Sequence, residues 1–301
     1  MLQSELKETI SHGSIDFPVG IHTTTTCPYG DEVMLYYHWH NELEFFYLQK
    51  GSLSFQNGDS HTILHEGEGL FINSNHLHAA RSLSTEACSF FAVVFDPSIL
   101  SADITSKIYT HFIQPIIAGQ LLFPSPLTPI IPWQNTVLTL LLELYQENKS
   151  RHNGYELTIQ SLLLQIWNLL VQNTVNHSGE EKPLKQYKTE RLKSIISFID
   201  QKYDKSITLS TLASKLQLSE GQFCRFFKEV TTMTPFSYIK HYRIQKSCLL
   251  LKNTDKKIIE IAGLCGFDTI SYYNESFLKI MQCTLSQYRN YYEMNDSSSY
   301  F

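Results

Sequence analysis

Short runs in which apolar and polar residues alternate fill the chain from about residue 19 to residue 95. Five of them end at turn-forming residues: 43–49 (LEFFYLQ), 53–56 (LSFQ), 61–65 (HTILH), 69–73 (GLFIN) and 89–95 (SFFAVVF). Asn57-Gly58, between two of these runs, is the strongest short signal for a β-hairpin. Strands that recur about every 8–12 residues are typical of an antiparallel sandwich or barrel, and this fold is predicted here.

A helical pattern follows a proline-rich stretch that ends at Pro132. Apolar residues at helical spacing predict two long helices, about Trp133–Asn148 and Tyr155–Thr174, each with an apolar stripe wide enough to be buried. These stripes could pack against the β-rich part, form a subunit interface, or do both.

The last third of the chain, from about Thr189 to Tyr292, is predicted to be helical, and a helix-turn-helix pattern occurs in it twice. In the first copy, Ser219 and Gln222 form a capping box at the start of a second helix, Glu220–Val230. The pattern returns 49 or 50 residues later, with its second helix at 271–280. The matching positions are Ala213 and Ala262, Phe223 and Tyr273, Phe227 and Phe277, and Tyr238 and Tyr288.

The two parts of the chain differ in net charge, although the overall net charge is only −5. Residues 1–182 hold 7 Lys and Arg against 18 Asp and Glu, a net charge of −11, whereas residues 183–301 hold 17 against 11, a net charge of +6. A basic half indicates a nucleic-acid partner. Tandem helix-turn-helix units in that half strengthen this interpretation, because a single unit would be a weak signal.

The six cysteines include no C-x-x-C pair, which favours reduced thiols over disulfides or a zinc ribbon. The first residues, MLQSELKETI, are polar, and the strongest apolar run, near Leu138–Leu144, is too short to span a bilayer. A soluble, cytoplasmic protein with no membrane partner is expected.

Residues 190–292 resemble the double helix-turn-helix domain of AraC/XylS-type transcription regulators. The residues that carry the resemblance are Leu209–Leu218, Ser219, Phe223, Arg225, Phe227, Lys228, Thr234, Pro235, Tyr238, Ile239, Arg243 and Ile244 in the first unit, and Ile258, Ile261, Ala262, Gly266, Phe267, Phe277, Ser286, Tyr288 and Arg289 in the second. The resemblance implies a sequence-specific DNA-binding regulator, an activator that binds double-stranded DNA, contacts RNA polymerase and forms a homodimer.

Four positions depart from the family pattern. A glycine expected after each second helix is Thr232 in the first unit and Gln282 in the second, and the accompanying proline of the second unit is Leu285. Glu275 replaces a residue that is often basic, although a carboxylate can accept a hydrogen bond from cytosine.

Positions along the second helices predict which side chains touch DNA. Base-edge contacts are assigned to Gly221, Gln222, Cys224 and Arg225 in the first unit, and to Ser271, Tyr272, Asn274 and Glu275 in the second. Phosphate contacts are assigned to Lys228, Lys240, Arg243 and Lys279. For each cation the alternative is a solvated surface charge.

The stretch HWHNELE at 38–44 resembles part of the cupin-type effector domain of the same family. The matching residues are His38, His40, Glu44 and Gly51, then Gly67, Asn73, Asn75 and His78. Metal-binding cupins place their ligands at His38, His40, Glu44 and His78. On one strand the side chains of His38, His40, Glu42 and Glu44 would share the inner face, with His78 on an opposing strand.

Three uses of this set stay open: a pocket for a small polar effector such as a sugar, a divalent metal site, and histidines that are only structural. The first is the prediction, so no cofactor is required, although a metal is an option. His76 is expected to be exposed, and His12, His22, His61 and His65 show no distinguishing spacing.

These observations predict an α+β chain that is a regulator and not an enzyme. The predicted parts are a cupin-like barrel (1–130), a helical dimerisation segment (131–176), a linker (177–188) and a double helix-turn-helix domain (189–294). The alternative is a cupin metalloenzyme whose helical half binds an unrelated partner; it predicts a stoichiometric metal, turnover and no salt-dependent DNA binding.

Overall fold

The structure, a computed structural model, describes residues 12–14, 16–25, 33–58, 60–83, 87–176, 182–231 and 233–296. The chain divides into two compact units, and the boundary falls at residue 183, inside the predicted linker. Each unit has its own core, so each is described by itself.

Eight strands in the described part of the N-terminal unit form two antiparallel sheets. They are β1 (Val19–Thr25), β2 (Val33–His38), β3 (Leu43–Lys50), β4 (Ser52–Asn57), β5 (Ser60–His65), β6 (Gly69–Ile72), β7 (His78–Ser82) and β8 (Ser89–Phe95). One sheet has the order β1-β8-β3-β6 and the other β2-β7-β4-β5. All five predicted strands are confirmed, and Gly58 makes the predicted hairpin turn with a left-handed φ of 57°.

The two sheets face each other across an apolar core that includes Phe46, Leu48, Phe55 and Phe90. The cupin-like fold class is confirmed, with one correction to the predicted barrel. Among the described residues no ladder of hydrogen bonds joins one sheet to the other, so the barrel is not closed. Register shifts interrupt the pairing of β2 with β7 at the edge of one sheet, and the chain then crosses to the other sheet at the turn before β3.

Two helices cover the outer face of the first sheet: α2 (Pro132–Ser150) and α3 (Tyr155–Gln172). Their predicted positions are confirmed. Leu141 and Leu163 are fully buried in one cluster with Phe45, Phe91 and the rest of that sheet face. The apolar stripes therefore pack against the β-domain.

Smaller elements complete the unit: a 3-10 turn at Pro97–Ile99, a π-helical turn at Tyr109–Ile113, α1 (Gln114–Ile117), and the short pair β9 (Leu121–Leu122) and β10 (Val175–Asn176).

The C-terminal unit is helical, as predicted, with seven helices in its described residues. They are α4 (Lys182–Lys202), α5 (Leu209–Lys215), α6 (Glu220–Thr231), α7 (Pro235–Asn253), α8 (Ile258–Leu264), α9 (Ile270–Met281) and α10 (Leu285–Asp296). α4 begins inside the segment that was predicted to be a linker. Within the described residues no helix is both long and apolar enough to cross a membrane.

The two helix-turn-helix units repeat the same packing. Every matched pair is buried: Ala213 with Ala262, Phe223 with Tyr273, Phe227 with Phe277, and Tyr238 with Tyr288. Full burial of one large apolar side chain contributes roughly 1.5–3 kcal/mol. These side chains therefore fix the angle at which α6 and α9 leave their turns.

The turns also share one backbone conformation. The N–H of Leu218 donates to the carbonyl of Ala213 at 3.0 Å, and the N–H of Phe267 donates to that of Ala262 at 3.0 Å. Each turn has one left-handed residue, Gln217 (φ 55°) in the first and Gly266 (φ 74°) in the second. A Cβ on Gly266 would lie 2.5 Å from the carbonyl oxygen of Tyr203, so this turn also needs glycine for space.

Five cysteines, Cys88, Cys224, Cys248, Cys265 and Cys283, are free thiols, and Cys27 lies outside the described residues.

Candidate nucleic-acid interface and histidine cluster

Helix α6 has a buried face and an exposed face. Phe223 and Phe227 are fully buried. The predicted contact residues Gly221, Gln222, Arg225 and Lys228 are exposed on the other side, and Cys224 is half-buried. The predicted contact residues of α6 thus lie together on the side of the helix that faces away from the core.

Helix α9 has the same arrangement. Tyr273 and Phe277 are fully buried, and Ser271, Tyr272, Asn274, Glu275 and Lys279 are all exposed. Tyr272 is 49% exposed, so its ring is available for contact. Glu275 and Lys279 offset each other among these predicted contact residues, whereas those of α6 include two basic side chains, Arg225 and Lys228, and no acidic one.

The cap at the start of α6 limits what Gln222 can do. Its side-chain carbonyl accepts hydrogen bonds from the backbone N–H of Ser219 at 3.0 Å and from the Ser219 hydroxyl at 2.9 Å, while the Ser219 Oγ accepts from the backbone N–H of Gln222 at 3.3 Å. The predicted capping box is confirmed. Bidentate reading of adenine needs both the amide oxygen and the amide nitrogen. Gln222 therefore has only its amide N–H groups to offer DNA while it caps the helix.

Arg243 has a structural role that the sequence did not reveal. Its guanidinium donates to the backbone carbonyls of Tyr203 and Lys205, each at 2.7 Å. These bonds hold the connection between α4 and α5, the helix that opens the first helix-turn-helix unit. Burial lowers the pKa of the Arg243 guanidinium. The predicted phosphate contact at this position competes with these two bonds.

The departures from the family pattern have physical consequences. Gln282 follows α9 with a left-handed φ of 55°, a conformation that glycine adopts freely and that costs other residues about 1–2 kcal/mol. Leu285 replaces the proline at the start of α10, and a capping box there compensates: the backbone N–H of Thr284 donates to Gln287 Oε1 at 2.8 Å, and that of Gln287 to Thr284 Oγ1 at 3.3 Å. Thr232 lies outside the described residues.

In the N-terminal unit, the predicted ligand residues meet at one end of the sandwich. We call His38, His40, Glu44 and His78 the histidine cluster. His40, Glu44 and His78 are buried, at 2%, 3% and 0% exposure, and His38 is half-buried. One nitrogen from each of the three imidazoles lies within 4.8 Å of the others. Glu44 Oε2 lies 3.0 Å from His40 Nε2 and 3.3 Å from His78 Nε2.

The cluster does not lie along one strand, which corrects the sequence-based prediction. β2 ends at His38, His40 lies in the turn that follows, and Glu44 belongs to β3 in the other sheet. His78 is the cross-strand partner of His38. Glu42, predicted to share the inner face, is half-buried, with its Oε2 3.7 Å from His40 Nδ1. His38 and Glu44 belong to different strands because the chain crosses from one sheet to the other at this turn.

Backbone carbonyls fix two of the rings. His40 Nδ1 lies 3.1 Å from the carbonyl oxygen of Glu42, and His78 Nδ1 lies 2.9 Å from that of His76. A carbonyl only accepts, so both Nδ1 atoms carry the proton, and both Nε2 atoms are directed at Glu44. His76 itself is exposed, as predicted.

The tautomer of the His40 and His78 rings suits a bound cation. Burial would raise the pKa of Glu44, but the positive charge of His78 and hydrogen bonds from His40 and His78 outweigh burial and hold this pKa well below its usual range. Without a metal ion, each Nε2 needs a proton to face the carboxylate. Metal-ligating histidines usually donate their other N–H to a carbonyl or carboxylate, as His40 and His78 do. One nitrogen from each of His38, His40 and His78 could therefore bind a divalent ion.

Sequence reasoning missed two histidines beside this cluster. His12 Nδ1 lies 2.9 Å from His22 Nε2, and the rings of His12 and His40 are 5.4 Å apart. Neither residue is spaced in a way that marks it. Their proximity comes from the segment before β1 folding back against β1, a long-range contact that leaves no periodic signal.

Both halves of the chain are similar to known proteins. Residues 212–291 match the family profile "Helix-turn-helix domain", and residues 27–94 match "Cupin domain". The uncharacterized HTH-type transcriptional regulator YdeC of Bacillus subtilis is 29% identical over 291 residues, 96% of this chain and 97% of YdeC. The transposon Tn10 TetD protein of Escherichia coli is 34% identical, over 39% of this chain and 86% of TetD. The HTH-type transcriptional activator RhaR of Mannheimia succiniciproducens is 26% identical, over 54% of this chain and 55% of RhaR.

The chain belongs to the AraC-type family of helix-turn-helix transcription regulators, with a cupin-type ligand-binding domain at its N-terminal side. It is a regulator and not an enzyme, so the metalloenzyme alternative is set aside.

The structural role of Arg243 can be tested by comparison with Lys228, which is an exposed charge on α6. We expect Arg243→Ala to lower the midpoint of thermal unfolding as well as DNA affinity, because two carbonyls lose their charged donor, at a cost of about 1–3 kcal/mol. Lys228→Ala, which removes an exposed charge, should lower DNA affinity and leave the unfolding midpoint unchanged. Circular dichroism melting of both full-length variants, paired with gel shifts, measures this. An unchanged midpoint for Arg243→Ala contradicts its structural role.

Proposed function

We propose that the regulator reads DNA with the exposed faces of α6 and α9, placed in neighbouring turns of the major groove. The observation that carries this proposal is that two helices on matching buried cores expose the predicted contact residues. α7, which joins the two helix-turn-helix units, has 19 residues and is about 28 Å long. This length suits the roughly 34 Å repeat of B-form DNA. The net charge of +6 in this half supplies the attraction to phosphates.

Arg225 is the residue we expect to read a base, since arginine binds the guanine edge with two hydrogen bonds. Gel shifts on the upstream region of the protein's own gene, at about 50 and 200 mM salt, should give a complex that weakens as salt rises. Arg225→Ala should cost about 1–3 kcal/mol, roughly 5- to 150-fold in Kd, on that region and much less on random DNA.

Lys107→Ala, which removes an exposed charge in the N-terminal unit, is the matched control and should bind like the wild type. No complex at low salt would rule out the proposal. An equal loss on specific and random DNA would assign Arg225 to a phosphate.

We further propose that the protein acts in the cytoplasm as an activator that contacts RNA polymerase. Support comes from the family resemblance and from RhaR, which carries the name of an activator. Run-off transcription from the bound region distinguishes activation from repression.

We propose that two copies pair through the outer face of α3. The inner apolar stripe of α3 packs against the β-domain. On its outer face, Leu157 is 73% exposed and Leu164 is 41% exposed, and the two residues flank a shallow groove. The other groove residues, Gln160, Ser161, Gln165 and Asn168, are uncharged. A twofold axis sets a surface against itself, so a surface without charge avoids like-charge repulsion.

Introducing charge into this surface should separate the copies. We expect the wild type to sediment as a dimer and the Leu157→Glu/Leu164→Glu variant as a monomer, because four carboxylates would meet at the twofold axis. Ile63→Glu, at a β5 position that is 51% exposed, is the control and should remain dimeric. Analytical ultracentrifugation measures the change; a dimeric double variant refutes this interface.

We propose that the effector binds at the histidine cluster. Buried imidazoles and a carboxylate offer hydrogen bonds to a small polar molecule, which is how a sugar-like effector would be held, and they offer ligands to a divalent ion. Their burial supports a binding role because polar contacts to a bound molecule are stronger in a buried, low-dielectric site than in water.

His38→Ala tests this site with little risk to folding, since His38 is half-buried. Any sugar or divalent ion that binds the cluster should raise the melting temperature of the wild type and fail to raise that of His38→Ala. A ligand at 100 times its Kd stabilises by about 2.7 kcal/mol, which is several degrees. His61→Ala, in an exposed position on β5, is the control. An equal shift in His38→Ala places the ligand elsewhere.

A further inference from the structure

The outward faces of α6 and α9 differ in chemistry at three matched positions. Corresponding positions in the two units are 50 residues apart, as Phe223 and Tyr273 are. The three pairs are Cys224 and Asn274, Arg225 and Glu275, and Lys228 and Leu278. A thiol, a guanidinium and an ammonium group in the first unit are thus replaced by an amide, a carboxylate and an apolar side chain in the second. The two helices therefore cannot bind the same bases in the same way.

Arg225 and Glu275 occupy the centre of these outward faces. Arg225 lies midway between the fully buried Phe223 and Phe227, and Glu275 has the matching place in α9. Because two residues turn an α-helix by about 200°, each of these side chains points away from the core. Both are exposed, and within the described residues neither makes an ion pair or a side-chain hydrogen bond. The two units therefore present opposite, unpaired charges at the same position.

α9 also presents a free amide, which α6 does not. The amide oxygen of Gln222 accepts hydrogen bonds from Ser219 in the cap of α6. α9 is capped differently, since the hydroxyl of Thr269 accepts from the backbone N–H of Tyr272 at 3.2 Å. Asn274 is exposed, and its amide makes no hydrogen bond to any described residue. Its oxygen and nitrogen are both available, as bidentate pairing with adenine N6 and N7 requires.

A carboxylate is selective in the major groove because it can only accept hydrogen bonds. Guanine presents the acceptors N7 and O6 there, and thymine presents O4 and a methyl group. Adenine places its N7 acceptor beside the N6 donor, whereas cytosine presents the N4 donor alone. Only cytosine therefore offers Glu275 a donor without an acceptor beside it, and the phosphates repel this carboxylate on every sequence.

We propose that Glu275 and Asn274 are specificity-determining residues and that the DNA site has two unlike halves. In the half bound by α6, Arg225 binds a guanine. In the half bound by α9, Glu275 binds a cytosine and Asn274 binds a neighbouring adenine. The proposal rests on the proposed function of both helices as readers of the major groove. Glu275 contributes selectivity and not affinity, because its charge opposes binding wherever the cytosine is missing.

Selection of DNA sites from a random pool by the full-length protein tests this proposal. We expect two preferred regions about 10 base pairs apart, since the helices would occupy neighbouring turns of the groove. Arg225→Ala should abolish the preference for guanine in one region. Glu275→Ala should abolish the preference for cytosine in the other, and Asn274→Ala that for the adenine beside it. Each lost preference should amount to about 5- to 150-fold in relative affinity.

Glu275→Gln separates direct base contact from a general effect of charge. Glutamine pairs with adenine through two hydrogen bonds, so the preferred base at this position should change from cytosine to adenine. Both Glu275 variants should bind random DNA about fivefold more tightly, because a negative charge near the phosphates is removed. Glu190→Gln makes the same change of charge at an exposed position on α4 and is the matched control. It should select the same sites as the wild type.

A preference for cytosine that survives in either Glu275 variant overturns the proposal, as do two selected halves of the same sequence. A guanine preference that depends on Arg225, without any cytosine preference, also overturns it but leaves the groove-reading function intact. If the wild type selects no sequence at all, the proposed function itself fails, so the two failures remain distinguishable. Far-ultraviolet circular dichroism checks that each variant is folded.

Discussion

Strand β3 has to bury both of its faces, and the rest of the N-terminal unit depends on this constraint. One face, with Phe45 and Tyr47, packs under the helices α2 and α3. The other, with Phe46 and Leu48, forms the core between the sheets, and Glu44 lies on that same inner face. An isolated carboxylate there would be very costly, so it needs compensating charge or hydrogen bonds. The imidazoles at the end of the sandwich supply both, and the histidine cluster thus follows from the way in which the strand is packed.

The C-terminal unit uses one backbone plan twice but gives its two outer faces different chemistry. The buried aromatic pairs and the turn hydrogen bonds are nearly the same in both units. Among the predicted contact residues, α6 has Arg225 and Lys228, whereas Lys279 on α9 is offset by Glu275. Each neutralised phosphate contributes about −0.9 to the slope of log K against log salt. Under the proposed mode of binding, the predicted contact residues of α6 would therefore contribute more to this slope than those of α9.

Local sequence patterns predicted most of the secondary structure, because a turn such as Asn57-Gly58 or a cap such as Ser219 acts over a few residues. The tandem units were also predictable, since each match could be checked against its repeat. Long-range contacts were not. The pairing of His12 with His22, the carbonyls held by Arg243 and the change of sheet after His38 each join segments whose proximity only the folded chain creates. The open sandwich belongs with these, because barrel closure depends on the edges of the sheets.

The uneven charge of the chain decides which surface DNA can approach. Residues 1–182 carry a net charge of −11 and repel phosphates, whereas residues 183–301 carry +6 and attract them. An effector in the negative half therefore acts on DNA affinity without binding DNA itself. Thermodynamic linkage then constrains the regulation: whatever factor the effector applies to DNA affinity, DNA applies to effector affinity.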